Sequence, residues 1–179
     1  RQAWDDETRA IRRAERRQAD AAMVDWLTAL RRWNARMTLT FSGKYQGQPW
    51  LPSEPAAMRR VQRFLDTLTP VVGRTVDGLA GIEYGRRTGR IHAEAVLAIQ
   101  EPYVGCLHDI TALWEEVDGN GHVGKAHAVK GGEPREAVKY VVKYVMKGGG
   151  LVFSRTIGPV DLLGVRFADP GLVSVPVGR

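Results

Sequence analysis

The segment Gly81-Ile-Glu-Tyr-Gly-Arg-Arg-Thr-Gly-Arg-Ile-His-Ala-Glu94 predicts two strands joined by a short turn. Since strand side chains alternate between the two faces of a sheet, His92 and Glu94 share one face. The opposite face of the second strand is apolar and is predicted to be the buried one: Ile91, Ala93, Ala95, Leu97 and Ile99. We therefore expect a hairpin, with strands over residues 79–84 and 91–99, that buries one face and exposes a polar one.

The polar face of this hairpin carries a candidate metal site. A turn centred on Arg87 and Thr88 pairs residues whose numbers sum to 175, which places Glu83 directly opposite His92. Directly opposite residues have Cβ atoms about 5 Å apart, so one cation can bridge them. With Glu94, the cluster offers two carboxylates and one imidazole, a donor set that favours Mg²⁺ or Mn²⁺. The alternative is an exposed hairpin in which Glu83 pairs with a protonated His92 or with an arginine.

A second polar pattern lies in the segment Lys139-Tyr-Val-Val-Lys-Tyr-Val-Met-Lys147. At about 100° per residue, one helix face carries two phenols beside two ammonium groups: Tyr140, Lys143, Tyr144 and Lys147. A neutral phenol, with a pKa of about 10, is a poor nucleophile, but a nearby ammonium stabilises the phenolate and can hold a phosphate oxygen. Two such tyrosines could attack a phosphodiester in turn. The alternative is an amphipathic helix whose tyrosines cover the core edge and whose lysines reach solvent.

The rest of the chain predicts interleaved helices and strands around these two patterns. Helices are expected over residues 4–34, 56–68, 106–116 and 133–146, and further strands over 37–42, 122–129 and 151–156. Breakers predict a loop over 43–55, and residues 157–179 read as a tail. The expected fold class is α+β, with a central, mainly antiparallel sheet covered by helices.

Charge and cysteine content narrow the function classes. The chain has 26 Lys and Arg against 20 Asp and Glu, a net charge of +6, which favours a polyanionic partner such as nucleic acid. A single cysteine excludes a disulfide framework and any multi-cysteine metal site. No apolar run approaches about 20 residues, so no membrane span is expected. Basic residues near the two patterns are candidate contacts to a single-stranded DNA backbone, or else a solubilising surface: Arg86, Arg87, Arg90, Lys125 and Lys130.

Taken in order, the strand Met37-Thr-Leu-Thr-Phe41, the Glu83…His92-Ala-Glu94 hairpin and the helix with Tyr140 and Tyr144 resemble the HUH endonuclease superfamily. Within it, the pattern is most similar to the two-tyrosine initiators of rolling-circle replication. The resemblance spans roughly residues 37–150. It implies an RRM-like palm with the metal site on one sheet face and the tyrosine helix alongside.

The expected organisation is a basic amphipathic helix over residues 1–36 that packs on an HUH-type nuclease domain over 37–156, followed by a tail over 157–179. The resemblance also implies a mechanism. Mg²⁺ or Mn²⁺ polarises the scissile phosphate, and a tyrosine attacks phosphorus, keeps the 5′-phosphate and releases a 3′-OH. By position, the nucleophiles are Tyr140 and Tyr144, the assisting lysines are Lys143 and Lys147, and the metal ligands are Glu83, His92 and Glu94.

The implied partner is single-stranded DNA, as an origin sequence or hairpin, together with a host or self helicase. The implied setting is the cytoplasm of a bacterial cell that carries a phage or plasmid. One departure from the family pattern matters, because Glu94 stands where the family has its second histidine. A carboxylate can ligate the same ion, His127 could substitute, or the site has diverged. Two alternatives therefore stay open: a catalytically lapsed module that binds origin DNA, and a two-tyrosine transposase.

Overall fold

A computed structural model describes residues 2–41, 44–45, 48–49, 51–85, 90–101, 106–116, 123–130, 133–145 and 149–157. Its elements in chain order are α1 (Gln2–Leu30), β1 (Ala35–Phe41), β2 (Lys44–Tyr45), β3 (Gln48–Pro49), α2 (Glu54–Val72), β4 (Val76–Tyr84), β5 (Ile91–Ile99), α3 (Cys106–Glu116), β6 (Val123–Lys130), α4 (Pro134–Val145) and β7 (Leu151–Phe153). The predicted α+β class, an antiparallel sheet covered by helices, is confirmed. Within the described ranges, no helix combines the length and the apolar character needed to cross a bilayer.

The main sheet has five strands in the order β6-β1-β5-β4-β7, and all its neighbours pair antiparallel. The succession β1-α2-β4-β5-α3-β6 is the β-α-β-β-α-β arrangement of ferredoxin-like folds. In the β4–β5 hairpin, Glu83 pairs with His92, as the hairpin symmetry predicts. On the other side of β5, Thr38 of β1 pairs with Glu94. The register therefore brings the polar positions of three strands to one sheet face.

Helices α2 and α3 cover the opposite face and form the larger core with it. The predicted burial of alternate β5 residues is confirmed, since Ile91 through Ile99 are buried at every odd position. Trp114 is central to this core, with ring centroids 5.2 Å from Phe64 and 5.3 Å from Phe41 in edge-to-face geometry. Its indole N–H donates to the Thr40 carbonyl at 3.1 Å, so the polar atom of the ring is satisfied.

Helices α1 and α4 cover only part of the face that carries the polar positions. Helical spacing places the α4 valines away from Tyr140 and Lys143, and the structure buries Val138, Val141 and Val142 against Leu79 and Val96. Val24, Leu27 and Trp33 come from α1 and its C-terminal connection, and Ile157 also joins this cluster. Packed structure thus extends to Ile157, the first residue of the predicted tail, and the rest of that tail lies outside the described residues.

Helix α1 ends at Leu30 instead of the predicted residue 34, because the next residues join other partners. The Trp33 indole donates to the Leu27 carbonyl at 2.6 Å, which turns the chain back against the helix. Asn34 extends the β1–β5 ladder, since its backbone N–H donates to the Leu97 carbonyl at 2.9 Å. These contacts end the helix four residues early and start β1 at Ala35.

Other element boundaries also differ from the predictions. The predicted loop over residues 43–55 contains the short β2–β3 pair and the first turn of α2. Pro55 is tolerated there, because the first helical turn needs no N–H donor from that residue. Helix α2 ends at Gly73, whose φ of 68° gives the left-handed cap that favours glycine. Strand β4 begins at Val76 instead of residue 79, and its Asp77 is buried in an ion pair with Arg31.

Candidate active site

The Glu83 and His92 side chains contact each other on the polar face of the sheet. His92 Nε2 lies 2.8 Å from Glu83 Oε2, and the two side chains are 22% and 14% exposed. Strand pairing holds them opposite each other, so the contact follows from the β4–β5 register. The predicted pair is thus brought together, partly shielded from water but still accessible to a small ligand.

Glu94 lies two residues further along β5 on the same face. Its carboxylate accepts hydrogen bonds from Thr38 Oγ1, at 3.1 Å to Oε1 and 3.0 Å to Oε2. Burial raises the pKa of Glu94, and the nearby Glu83 charge adds to the increase, while the Thr38 bond and the charges of His92 and Arg36 oppose it. Because burial is the largest cause, the net increase means that this site favours the neutral, protonated carboxyl over the charged carboxylate.

The donor chemistry of this cluster fits a hard divalent cation, since it combines two carboxylates and an imidazole. Glu83 and His92 contact each other directly, whereas Glu94 is bound to Thr38. In the described part of the chain, no three His, Cys, Asp or Glu side chains are gathered closely enough to form a metal group. His127 lies opposite Thr38 in the β1–β6 register, and its side chain lies outside the described residues.

Tyr140 of α4 and Glu94 of this cluster line the same small pocket. The pocket measures about 210 Å³ and is lined by Tyr140 and Val141 of α4, Glu94 of β5, and Arg36 and Thr38 of β1. Tyr140 is 46% exposed, so its phenol is open to a substrate. The Lys143 ammonium lies 5.5 Å from the Tyr140 ring centroid, within cation–π distance. The helix therefore places the Tyr140 phenol near the Lys143 ammonium and in the same pocket as the Glu94 carboxylate.

Gly81 allows α4 to lie this close to the sheet. A Cβ atom at this position would lie 3.0 Å from the Val141 carbonyl oxygen and 3.2 Å from Val141 Cγ1. Any side chain would press against the α4 backbone, one residue after Tyr140. This role of Gly81 was not predicted, although a glycine inside a strand is a known signal of close backbone approach. The roles of Thr38 and Arg36 were not predicted either, because they depend on the β1–β5 register.

The remaining predicted site residues are placed only in part. Tyr144 belongs to α4, and Lys125 and Lys130 belong to β6, but their side chains lie outside the described residues. Arg90 is exposed at the start of β5, where its carbonyl accepts the Gly85 N–H at 2.8 Å. The other predicted residues lie outside the described ranges: Lys147, Arg86 and Arg87.

Comparisons of the chain with protein-family models, with curated proteins and with solved structures find no significant match. Any function assigned to the protein therefore depends on the geometry of this site and on the chemistry of its residues.

Proposed function

We propose that the protein is a metal-dependent endonuclease that nicks and rejoins single-stranded DNA through a 5′-phosphotyrosine intermediate. The observation that carries this proposal is the pocket that Tyr140 shares with Glu94, beside the Glu83–His92 pair. A phenol, an ammonium and a carboxylate–imidazole cluster at one place suit phosphoryl transfer better than simple packing does. The proposed biological role is initiation and termination of rolling-circle replication on an origin sequence or hairpin, in a bacterial cell that carries a phage or plasmid.

In the proposed reaction, Tyr140 is the nucleophile. Its hydroxyl loses a proton to water or to Glu94, and the phenolate oxygen forms a bond to phosphorus. The bond between phosphorus and the 3′-oxygen breaks, and that oxygen takes up a proton to give a free 3′-OH. The Lys143 ammonium, which lies 5.5 Å from the Tyr140 ring centroid, stabilises the phenolate charge. Attack by a 3′-OH on the phosphotyrosine reverses these steps and rejoins the strand.

Glu83, His92 and Glu94 are the side chains that would hold Mg²⁺ or Mn²⁺, which as a Lewis acid stabilises negative charge on the reacting phosphate. Ion binding by His92 and Glu83 competes with their direct contact, and binding by Glu94 competes with its Thr38 bonds. Tyr144, one helical turn after Tyr140, is the proposed second nucleophile, with Lys147 assisting it. A second phenol would allow one more cleavage while the first is still esterified.

The experiment is a denaturing-gel assay for covalent adducts. The protein is incubated with a pool of labelled single-stranded oligonucleotides from its own replicon, with Mn²⁺ or with EDTA. An SDS-resistant protein–DNA band that requires Mn²⁺ is expected. Tyr140→Phe should remove most of it, and Tyr140→Phe/Tyr144→Phe should remove all of it.

Tyr84→Phe is the matched control for this assay. Tyr84 is 50% exposed, close to the 46% of Tyr140, but its hydroxyl donates to Glu54 at 3.0 Å, away from the pocket. Wild-type adduct yield is expected from this variant. A full yield from the double α4 variant would refute tyrosine nicking by this helix.

A second candidate function is a DNA-binding module that has lost cleavage. The observation that favours it is Glu94 itself, which has a raised pKa and is bound by Thr38 instead of meeting Glu83 and His92. This candidate predicts DNA binding that is equal in Mn²⁺ and EDTA, with no covalent band under either condition.

A further inference from the structure

A basic groove runs between α1 and α4, next to the pocket of Tyr140. Its volume is about 440 Å³, within the range of about 300–1,000 Å³ that is typical of ligand sites. Four cationic side chains and one acidic side chain line it: Arg16 and Asp20 from α1, and Arg135, Lys139 and Lys143 from α4. We name this feature the α1–α4 groove. Its excess of positive charge suits a phosphate-bearing ligand.

The walls of the groove are held in place by buried contacts. Val24 of α1 and Val142 of α4 line it, and both belong to the core cluster that joins the two helices to the sheet. The two helices are therefore fixed relative to each other before any ligand binds. A preformed groove loses less conformational entropy on binding than a pair of free helices would.

The ion pairs at the groove are of a kind that a phosphate can replace. Arg135 lies 2.5 Å from Asp25, and Lys139 lies 2.5 Å from Glu136. Both pairs are at the surface, with 44% to 64% of each side chain exposed. Exposed pairs of this type are weak, because water and salt screen them. A phosphate oxygen can therefore compete for the same cations.

The groove also holds an acceptor that lacks a donor. Asp20 Oδ1 is buried and has no hydrogen-bond partner among the described residues. A buried, unsatisfied oxygen is costly, and a ligand with an N–H group can satisfy it. The N–H groups of nucleobases supply such donors, including the ring N–H of thymine, whereas free phosphate at neutral pH is chiefly an acceptor. Cations and one acceptor together match a nucleotide better than a simple anion.

The position of the groove connects it to the proposed reaction. Lys143 lines the groove and also lies 5.5 Å from the Tyr140 ring centroid, so the two features share a side chain. Arg9 and Arg13 precede Arg16 on the same helical face, at spacings of three and four residues, and both are exposed. Positive charge therefore continues from Tyr140 across the groove and along α1.

We infer that the α1–α4 groove binds the backbone of single-stranded DNA beside the phosphate that Tyr140 attacks. This inference rests on the proposed function for the identity of the ligand. It assigns DNA binding to Arg16, Arg135 and Lys139, which lie away from the turn and β6 residues that the sequence suggested. The contacts act mainly on phosphates, so binding should depend on salt and little on base sequence.

The test measures binding of a fluorescein-labelled oligo-dT 20-mer by anisotropy, in EDTA so that no metal-dependent cleavage occurs. Arg16→Ala/Lys139→Ala should weaken binding at least tenfold at about 50 mM salt. It should also flatten the plot of log K against log salt by about 1.4, since each lost phosphate contact on a single strand accounts for about 0.7. Arg16→Lys should bind nearly as tightly as the wild type.

Arg59→Ala/Arg74→Ala is the matched control, because it removes the same charge. Both residues are exposed, and Arg59 lies on α2, which covers the other face of the sheet. Binding within twofold of the wild type is expected from this variant. An independent measurement on the wild-type protein is acetylation of Lys139, which bound oligo-dT should slow.

Equal losses in the groove and control variants would show that only net charge matters and would overturn the inference. Absence of oligo-dT binding by the wild type, or tighter binding of an RNA 20-mer, would overturn it as well. Groove-dependent DNA binding by a protein that forms no covalent adduct would support the groove while refuting the proposed nicking activity.

Discussion

The two faces of the main sheet use the same strands for opposite purposes. On β5, Ala93 is fully buried under α2 and α3, whereas its neighbours His92 and Glu94 are only partly buried on the other face. One face is covered by large apolar side chains such as Trp114, and the other is covered only where side chains of α1 and α4 pack on it. Because side chains alternate along each strand, apolar side chains on one face stabilise the fold, while the other face holds polar side chains that are only partly buried.

The two faces should differ most in the effect of removing a core aromatic side chain. Trp114→Ala should cost about 3–5 kcal/mol of unfolding free energy, because it leaves a cavity against Phe41 and Phe64. His92→Ala, on the other face of the sheet, should cost about 1 kcal/mol or less, since its contact with Glu83 is partly exposed to water. Urea denaturation of both variants measures the difference. Equal losses of unfolding free energy in the two variants would mean that the polar face stabilises the fold as much as the apolar face does.

A smaller effect separates metal binding from simple ion pairing on the polar face. If Glu83, His92 and Glu94 hold Mn²⁺, the ion should stabilise the fold by about 2.7 kcal/mol at a hundred times its Kd. His92→Ala should abolish this gain. His108→Ala, which removes an exposed histidine from α3, should leave it unchanged. Thermal unfolding with and without Mn²⁺ measures the gain, and its persistence in His92→Ala would argue against this site.

The smallest effect concerns the pH dependence of stability. Burial raises the pKa of Glu94 above its ordinary value of about 4.5, so the folded protein holds this proton more tightly than the unfolded chain does. The resulting stabilisation is fully present below pH 4.5 and is lost as the pH rises through the raised pKa. Glu94→Gln should remove this part of the pH dependence.

Glu116→Gln is the control for the pH experiment, because Glu116 is exposed at the end of α3. Its unfolding free energy should follow the wild-type pH dependence. Urea denaturation between pH 4 and 8 in EDTA compares the three proteins. Parallel curves for Glu94→Gln and the wild type would show that this carboxylate does not titrate differently in the folded state.

The periodicity of single segments predicted several features of the two sheet faces. The β4–β5 hairpin turns symmetrically, so counting from its centre identified the contact between Glu83 and His92. Every second residue of β5 from Ile91 to Ile99 is apolar and buried, as its strand periodicity predicted, and Val138, Val141 and Val142 repeat at helical spacing on the buried side of α4. These features depend on residues near each other in the chain.

The features that were missed depend on distant parts of the chain. Thr38 reaches Glu94 only because β1 lies beside β5, and the two residues are 56 positions apart. The role of Gly81 depends on where α4 packs, and the groove depends on α1 lying beside α4. The periodicity of residues within one segment does not predict which distant segments pack together. It also did not predict the Trp33 contacts that end α1 early.

Peptide mapping of the covalent adduct is the direct test of whether Tyr140 and the carboxylate–imidazole cluster form one reactive site. The wild-type protein is incubated with single-stranded replicon DNA and Mn²⁺, digested with nuclease and protease, and examined by mass spectrometry. We expect a nucleotide joined through its 5′-phosphate to Tyr140, and we expect His92→Ala to reduce the yield of this adduct sharply. An adduct on a residue outside α4, or an undiminished Tyr140 adduct in His92→Ala, would contradict this expectation.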